Sequence, residues 1–449
     1  MTDEELLTEI YSAFEPFQPP PKEVYVAFEE VRGKWDVIQE LGRKITRSKN
    51  PTCQLYSGHR GVGKSTELLR LKEYLEQQRF FVVYFAADEQ DIEPQDADYA
   101  EILFACTRHL VEAIKIQNHN PLVDWMRERW ASLKDLALTE LAFEGLDLET
   151  QILQFAKITA TLKAVPDKRR ELRQRINANT PSLIQALNDF IAEAQKQLPA
   201  ERNRGLVVIV DNLDRIVEVR EPGKPSNYEE IYLNRCDMLR GLNCHTIYTV
   251  PIALVYSERA TDLEINYDKP DVLPMIMVRH PNGGVNAVGL GKLREMVARR
   301  IQGIDPALVH RLDSPMEGKT SVFDSAKTLE QLFLMSGGHV RNLMQLIQKA
   351  IDYTDVLPIK AQAVKRAVEE ARETYKNAIQ EPHWEILASA CHYKEVKNNE
   401  QCLRLLLSRC LLEYRYYDED GNLKIWHNVH PLVEDLKSFQ EALAKVRGQ

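Results

Sequence analysis

The chain has 449 residues, 44% of them hydrophobic and 28% charged, with a formal net charge of −9. That balance describes an ordinary globular protein of about two to four domains, and it excludes one that coats nucleic acid through bulk positive charge, leaving only a local basic patch open. No window approaches the ~20 consecutive apolar residues of a membrane span. Seven scattered cysteines without a C-x-x-C pair argue against zinc. Together with an acidic N-terminus, MTDEELLTEI, that lacks the basic and apolar regions of a signal peptide, they suit a reducing cytoplasm.

Residues 1–45 read as a helical lead-in. Leu6, Ile10 and Phe14 share one helix face, which Pro16 to Pro21 interrupt; Trp35, Ile38, Leu41 and Ile45 then follow at helical spacing. This second helix either borders a ligand or covers a sheet edge. Cys53, Leu55 and Tyr56 form a strand-like run into Gly58-His59-Arg60-Gly61-Val62-Gly63-Lys64-Ser65-Thr66, which fits G-x-x-x-x-G-K-[ST]. The glycines let backbone N–H groups turn toward a phosphate. Lys64 supplies a cation for the β- and γ-phosphates, Ser65 a hydroxyl for Mg²⁺, and the helix opening at Lys64 directs its positive end at the same anion. Leu68, Leu71 and Leu75 continue that helix, which separates the motif from a chance glycine-rich turn.

Phe80 to Phe85 is a continuous apolar run of the kind found in buried parallel strands, so strand, loop, helix and strand make a βαβ unit. Asp88 follows at the strand end, either near a metal through water or as a solvated loop carboxylate. From about 98 to 200 the pattern is helical, with Ile102, Cys106, Leu110 and Ile114 on one face. A second face, Leu183, Leu187, Phe190, Ala194 and Leu198, is predicted to start with Thr180 as N-cap and Pro181 at the first helical position. Lys163, Lys168, Arg169, Arg170, Arg173 and Arg175 crowd this interval, either as a solvated face or as a contact for nucleic acid, a partner or a neighbouring subunit.

Val207 to Val210 then runs into Asp211-Asn212-Leu213-Asp214, a Walker B pattern that places Asp211 at a strand end as the Mg²⁺ ligand. Many related ATPases carry Glu where this chain has Asn212; Asn cannot take a proton, so Asp214 is the remaining water-activating candidate, or turnover is slow. His245 to Val250 reads as another core strand with Thr249 as a candidate γ-phosphate sensor, and Pro274 to Val278 as the last short one. Arg235, Arg240, Arg259 and Arg279 are candidates for an arginine finger acting across a subunit interface.

Helices resume from Leu290. Ser336-Gly337-Gly338-His339-Val340-Arg341 opens one of them, placing Arg341 in its first turn, where it either folds back on a phosphate or forms a surface pair. After a helix near Trp384 and another through Leu403, Leu406 and Leu407, two β-rich runs flank Asp418 to Asn422 as a hairpin. Helices followed by a two-stranded wing suggest a winged-helix module; its charge, nine Lys/Arg against eleven Asp/Glu over 381–449, lacks the basic excess usual in a DNA-reading module, which leaves protein contact at least as good a reading as DNA.

In this order the motifs resemble the AAA+/STAND side of the P-loop ATPases, especially bacterial and archaeal ATPases akin to the origin-recognition-complex group. The resemblance covers roughly 25–90 and 200–440. It implies a sensor-2 role for Arg341, ATP and Mg²⁺ as cofactors, and service in signalling, antiviral defence or DNA transactions. Asp211-Asn212-Leu213-Asp214 is closer to STAND and KAP-type ATPases, and the missing Glu departs from the AAA+ pattern.

The expected fold is α/β: a parallel P-loop NTPase sheet over 46–285 with a helical insertion at about 115–200, then an α-helical lid over 286–380 and a winged-helix-like domain over 381–449. The expected site comprises Gly58 to Thr66 for the nucleotide, Ser65 and Asp211 for the metal, and Lys64, Asp211, Asp214 and Arg341 for catalysis. The leading reading is a nucleotide-gated ATPase switch that assembles as a homo-oligomer and meets a protein partner through the insertion or the winged helix, away from any membrane. The alternative is a DNA-binding ATPase of the replication-initiator or transposition type, with a small-substrate P-loop kinase as a weaker third.

Overall fold

The computed structural model describes residues 2–114, 121, 122, 124, 157, 160, 163–316 and 319–448. The chain divides into two compact units: Val37–Ser57 with Glu67–Val272, and Met1–Asp36 with Gly58–Thr66 and Leu273–Gln449. We refer to them as the sheet unit and the lid unit. Most of the predicted insertion, 115–162, lies outside the described residues.

The sheet unit is built on β1 (Cys53–Ser57), β2 (Phe80–Ala86), β3 (Gly205–Asp211), β4 (His245–Thr249) and β5 (Asp271–Val272). They pair in the order β2-β3-β4-β1-β5, every pair parallel. The apolar runs seen in the sequence are the inner strands: Val208, Val210, Val83 and Phe85 enter one core with Leu103 and Phe190 from flanking helices. Parallel strands covered on both faces demand such uninterrupted apolar stretches.

One of those flanking helices differs from expectation. Pro166–Gln197 is a single helix of 32 residues, with Pro166 in its first turn and Pro181 inside it. Thr180 is buried, and Leu183, Leu187, Phe190 and Ala194 all reach the core. A proline costs an interior helix a hydrogen bond and a steric clash, but the apolar stripe C-terminal to Pro181 buries enough surface to hold the helix through it. The start signal at Thr180-Pro181 is therefore an interior one.

The lid unit carries helices Ala287–Gln302, Ala326–Met335, Val340–Asp352 and Ala361–Ala378, followed by His383–Tyr393 and Glu400–Leu407. An antiparallel hairpin follows, β6 (Leu411–Tyr417) with β7 (Leu423–Val429), where Tyr414 faces Trp426 with their rings stacked at 4.3 Å. Helices ahead of a two-stranded wing give the winged-helix arrangement expected of the tail. The strand expected over Pro274–Val278 is instead extended chain in this unit. Pro274 has no N–H to give a ladder, and the N–H groups of Met275 and Met277 go to the carbonyls of Glu413 and Val31.

The turn that opens Val340–Asp352 requires glycine. Gly338 sits at φ +78, and a Cβ there would lie 1.8 Å from the Ile276 carbonyl oxygen. Gly338→Ala combines that overlap with left-handed strain and is expected to cost about 3 kcal/mol or more. A fall in the thermal midpoint of roughly 5 °C or more, followed by circular dichroism, is the result to look for.

Candidate nucleotide site

The phosphate loop, Gly58–Thr66, begins where β1 ends and runs into the helix Lys64–Gln77. Gly58, Gly61 and Gly63 all take positive φ, at 144°, 89° and 111°. Gly61 also has no room for a side chain: a Cβ would meet the Arg341 Cβ and the His339 Cε1 at 2.8 Å each. The Lys64 side chain is buried, and its Nζ donates to the carbonyls of Gly58 at 2.9 Å and His59 at 3.1 Å. Two of its three N–H donors are thereby fixed, so the ammonium is positioned by the loop that it serves.

The carbonyls of Arg60, Gly61 and Val62 are taken by other parts of the lid unit. Arg32, buried in the lead-in, donates through Nη2 to the Val62 oxygen at 2.7 Å. The Arg341 backbone N–H donates to Gly61 at 3.2 Å. The His339 Nε2 bonds the Arg60 oxygen at 2.7 Å, while its Nδ1 accepts the Asn342 N–H as the helix N-cap. The lid turn is thus hydrogen-bonded directly to the phosphate loop. The Arg341 side chain, expected to read the γ-phosphate, donates through Nε to the Pro16 carbonyl at 3.0 Å and lies over the Phe17 ring at 5.4 Å.

In the sheet unit, the C-terminal ends of β3 and β4 carry Asp211 and Thr249. Asp211 is buried and accepts from the Tyr84 hydroxyl at 2.8 Å through Oδ2 and from the Asn212 N–H at 2.7 Å through Oδ1. Thr249 Oγ1 accepts the Leu213 N–H at 2.9 Å, fixing the turn after the Walker B strand. Asp214 is also buried. Asn212 has φ +64, a left-handed conformation that Asn tolerates and Glu does not favour. The backbone itself therefore accounts for the amide at the position where related ATPases carry a base.

Other candidates are engaged elsewhere. Asp88 lies in the short helix Ala87–Gln90, partly buried and paired with Arg215 at 2.7 Å, so it is not the solvated loop carboxylate expected. Arg169 and Arg173 of the basic run bind Asp96, and Arg173 also binds Glu101 at 2.8 Å. Of the arginine-finger candidates, Arg235 pairs with Glu230 and Arg259 with Asp262. The sequence reading gave no role to Tyr84, Arg32 or His339; Tyr84 is the one hydroxyl in the β2 run, and His339 lies within the Ser336–Arg341 motif.

Several histidines near the loop are neutral. Burial pushes His59 down to about 4 and His430 down to about 3, and holds His339 well below its ordinary value. At His59 the Glu413 carboxylate pulls the other way, and the Lys64 ammonium adds to the depression. These rings bind a proton more readily in the unfolded chain, so their stabilisation is complete above about pH 6.5 and is lost as pH falls toward 4. Each contributes a slope of up to about 1.4 kcal/mol per pH unit in that window. The thermal midpoint is expected to drop between pH 7 and pH 5, and to drop less in His59→Gln.

Among the described residues no group of three or more His, Cys, Asp or Glu gathers around a common point. A hydroxyl, one carboxylate and nucleotide oxygens suffice for Mg²⁺, which keeps several waters and needs no protein cage; Ser65 of the lid unit carries a hydroxyl and Asp211 of the sheet unit a buried carboxylate. No helix among the described residues is long and apolar enough to cross a membrane.

Residues 34–221 match the family described as AAA ATPase domain. No curated protein matches the chain. Among solved structures, Cdc6p from Pyrobaculum aerophilum is 12% identical, over 97% of this chain and 98% of that one, with a TM-score of 0.38. The Aeropyrum pernix ORC2 protein in its ADP form is 12% identical, over 97% and 96%, with a TM-score of 0.41. The Aeropyrum pernix ORC1 protein in complex with DNA is 11% identical, over 97% and 96%, with a TM-score of 0.39. Overlaps of this quality leave the assignment to the family match, the loop motif and the sheet order.

Proposed function

Starting from the AAA ATPase domain that residues 34–221 carry, we propose that this chain binds and slowly hydrolyses ATP, and that the bound nucleotide sets the position of its lid and wing. The observation that carries this reading is the bonding of the lid turn to the phosphate loop: Arg341 N–H to Gly61 and His339 to Arg60. A change in loop backbone on phosphate binding is transmitted to Val340–Asp352 without an intermediary.

In this reading Gly58 to Thr66 wraps the phosphates, and Lys64 stabilises charge that builds on the transferred γ-phosphoryl group. Ser65 and Asp211 would hold Mg²⁺, which would supply charge neutralisation of the phosphate oxygens. Asp214 orients or deprotonates the attacking water, and Arg341 reports the γ-phosphate once its Nε leaves Pro16. Slow turnover follows from Asn212, which cannot act as a base. Steady-state phosphate release of tens per second, unchanged by Asp214→Asn, would remove the switch reading.

The DNA-binding alternative draws less support. Arg169 and Arg173 are spent on Asp96 and Glu101, and the tip of the wing presents Asp418, Glu419 and Asp420. The partner proposed for the wing is accordingly a protein, with a second copy of this chain as the first candidate.

A further inference from the structure

We propose that His59 is a positioning residue through which the phosphate loop holds the wing, so that nucleotide occupancy and wing seating are coupled by one imidazole. This rests on the nucleotide-binding reading above and names the route by which it reaches the C-terminal hairpin.

Strand β6 pairs with β7 along one side only. Its other edge would present unpaired backbone groups, which proteins ordinarily cover. Here the cover comes from far along the chain. The Glu413 N–H donates to His59 Nε2 at 3.0 Å, and the Glu413 carbonyl accepts the Met275 N–H at 3.2 Å. Gly33 lies so close to the Arg415 carbonyl that a Cβ would overlap it. Both His59 and Glu413 are 1% exposed, so this hydrogen bond is made in a dry environment, where losing it is expensive.

His59 is bound at both ends. Its carbonyl accepts from Lys64 Nζ, the cation of the loop, and its ring accepts from the wing. Movement of the loop backbone or of Lys64 therefore displaces the acceptor of Glu413. The lid contacts differ in kind, because they fall on the carbonyls of Arg60 and Gly61 and are indifferent to the loop side chains. His59 couples through an atom of a loop side chain, which substitution can remove or restore without touching the lid. The Nε2 accepts only while the ring is neutral, with the proton on Nδ1, and burial favours that form. Glutamine reaches the same point with its Oε1; leucine fills the space without an acceptor.

Hydrogen–deuterium exchange over 411–417 tests the coupling in the full-length wild type, His59→Gln and His59→Leu. Each is measured without nucleotide and with Mg·ADP at saturation, set by its own calorimetric titration. Wild type is expected to exchange about tenfold more slowly with ADP, because phosphate pins the loop. His59→Gln is expected to keep that response and His59→Leu to lose it. ADP binding to wild type without a change in exchange overturns the coupling and leaves nucleotide binding intact. Loss of the response in His59→Gln also overturns it, and that arm decides even if the leucine variant fails to fold. Failure of wild type to bind ADP overturns both readings.

Discussion

Lys64→Ala is expected to lower ATP turnover by roughly 100-fold or more. The ammonium is held by the carbonyls of Gly58 and His59, so it reaches the reaction already positioned and loses little freedom when phosphate arrives. Its charge-assisted bonds strengthen as negative charge accumulates on the phosphoryl oxygens, which makes their loss larger in turnover than in ground-state binding. Alanine also takes the Lys64 donor from both carbonyls, of which His59 keeps the Val62 N–H. Phosphate release and ATP calorimetry measure the two effects separately. Turnover within about threefold of wild type would mean that the loop does not serve the reaction.

Asp211→Asn carries the second large effect, through charge and through hydrogen bonding. Wild-type Asp211 receives the Tyr84 hydroxyl on one oxygen and the Asn212 N–H on the other. Asparagine keeps one oxygen for the Asn212 N–H and turns its NH₂ toward the Tyr84 hydroxyl, which must then accept instead of donate. It also removes the negative charge proposed to hold Mg²⁺. The expected result is turnover reduced by roughly 100-fold together with a higher Mg²⁺ requirement, read from a magnesium titration of phosphate release. An unchanged magnesium dependence would reassign the metal ligand.

The parts of this protein that were legible in its sequence are local ones. Gly58 to Ser65 and Val207 to Asp211 depend on short-range spacing, and the β6–β7 hairpin announces itself by two β-rich runs around Asp418 to Asn422. Signals that tertiary burial overrides were misread. Pro181 resembles a helix start but lies within Pro166–Gln197, where the apolar stripe decides, and Pro274 to Val278 has strand composition but gives its N–H groups to Glu413 and Val31. The basic run left a solvated face and a binding surface both open because its acids, Asp96 and Glu101, lie more than seventy positions away. The bond between His59 and Glu413 spans 354 positions, and no periodicity or motif encodes a pairing of that length.

The central claim, a switch set by nucleotide, is tested most directly by light scattering of the full-length chain with Mg·ADP, with Mg·ATP, and with Mg·ATP plus duplex DNA. The account predicts a larger assembly with ATP than with ADP, and no further change on adding DNA. Equal mass with ADP and ATP, or growth that requires DNA, would contradict it.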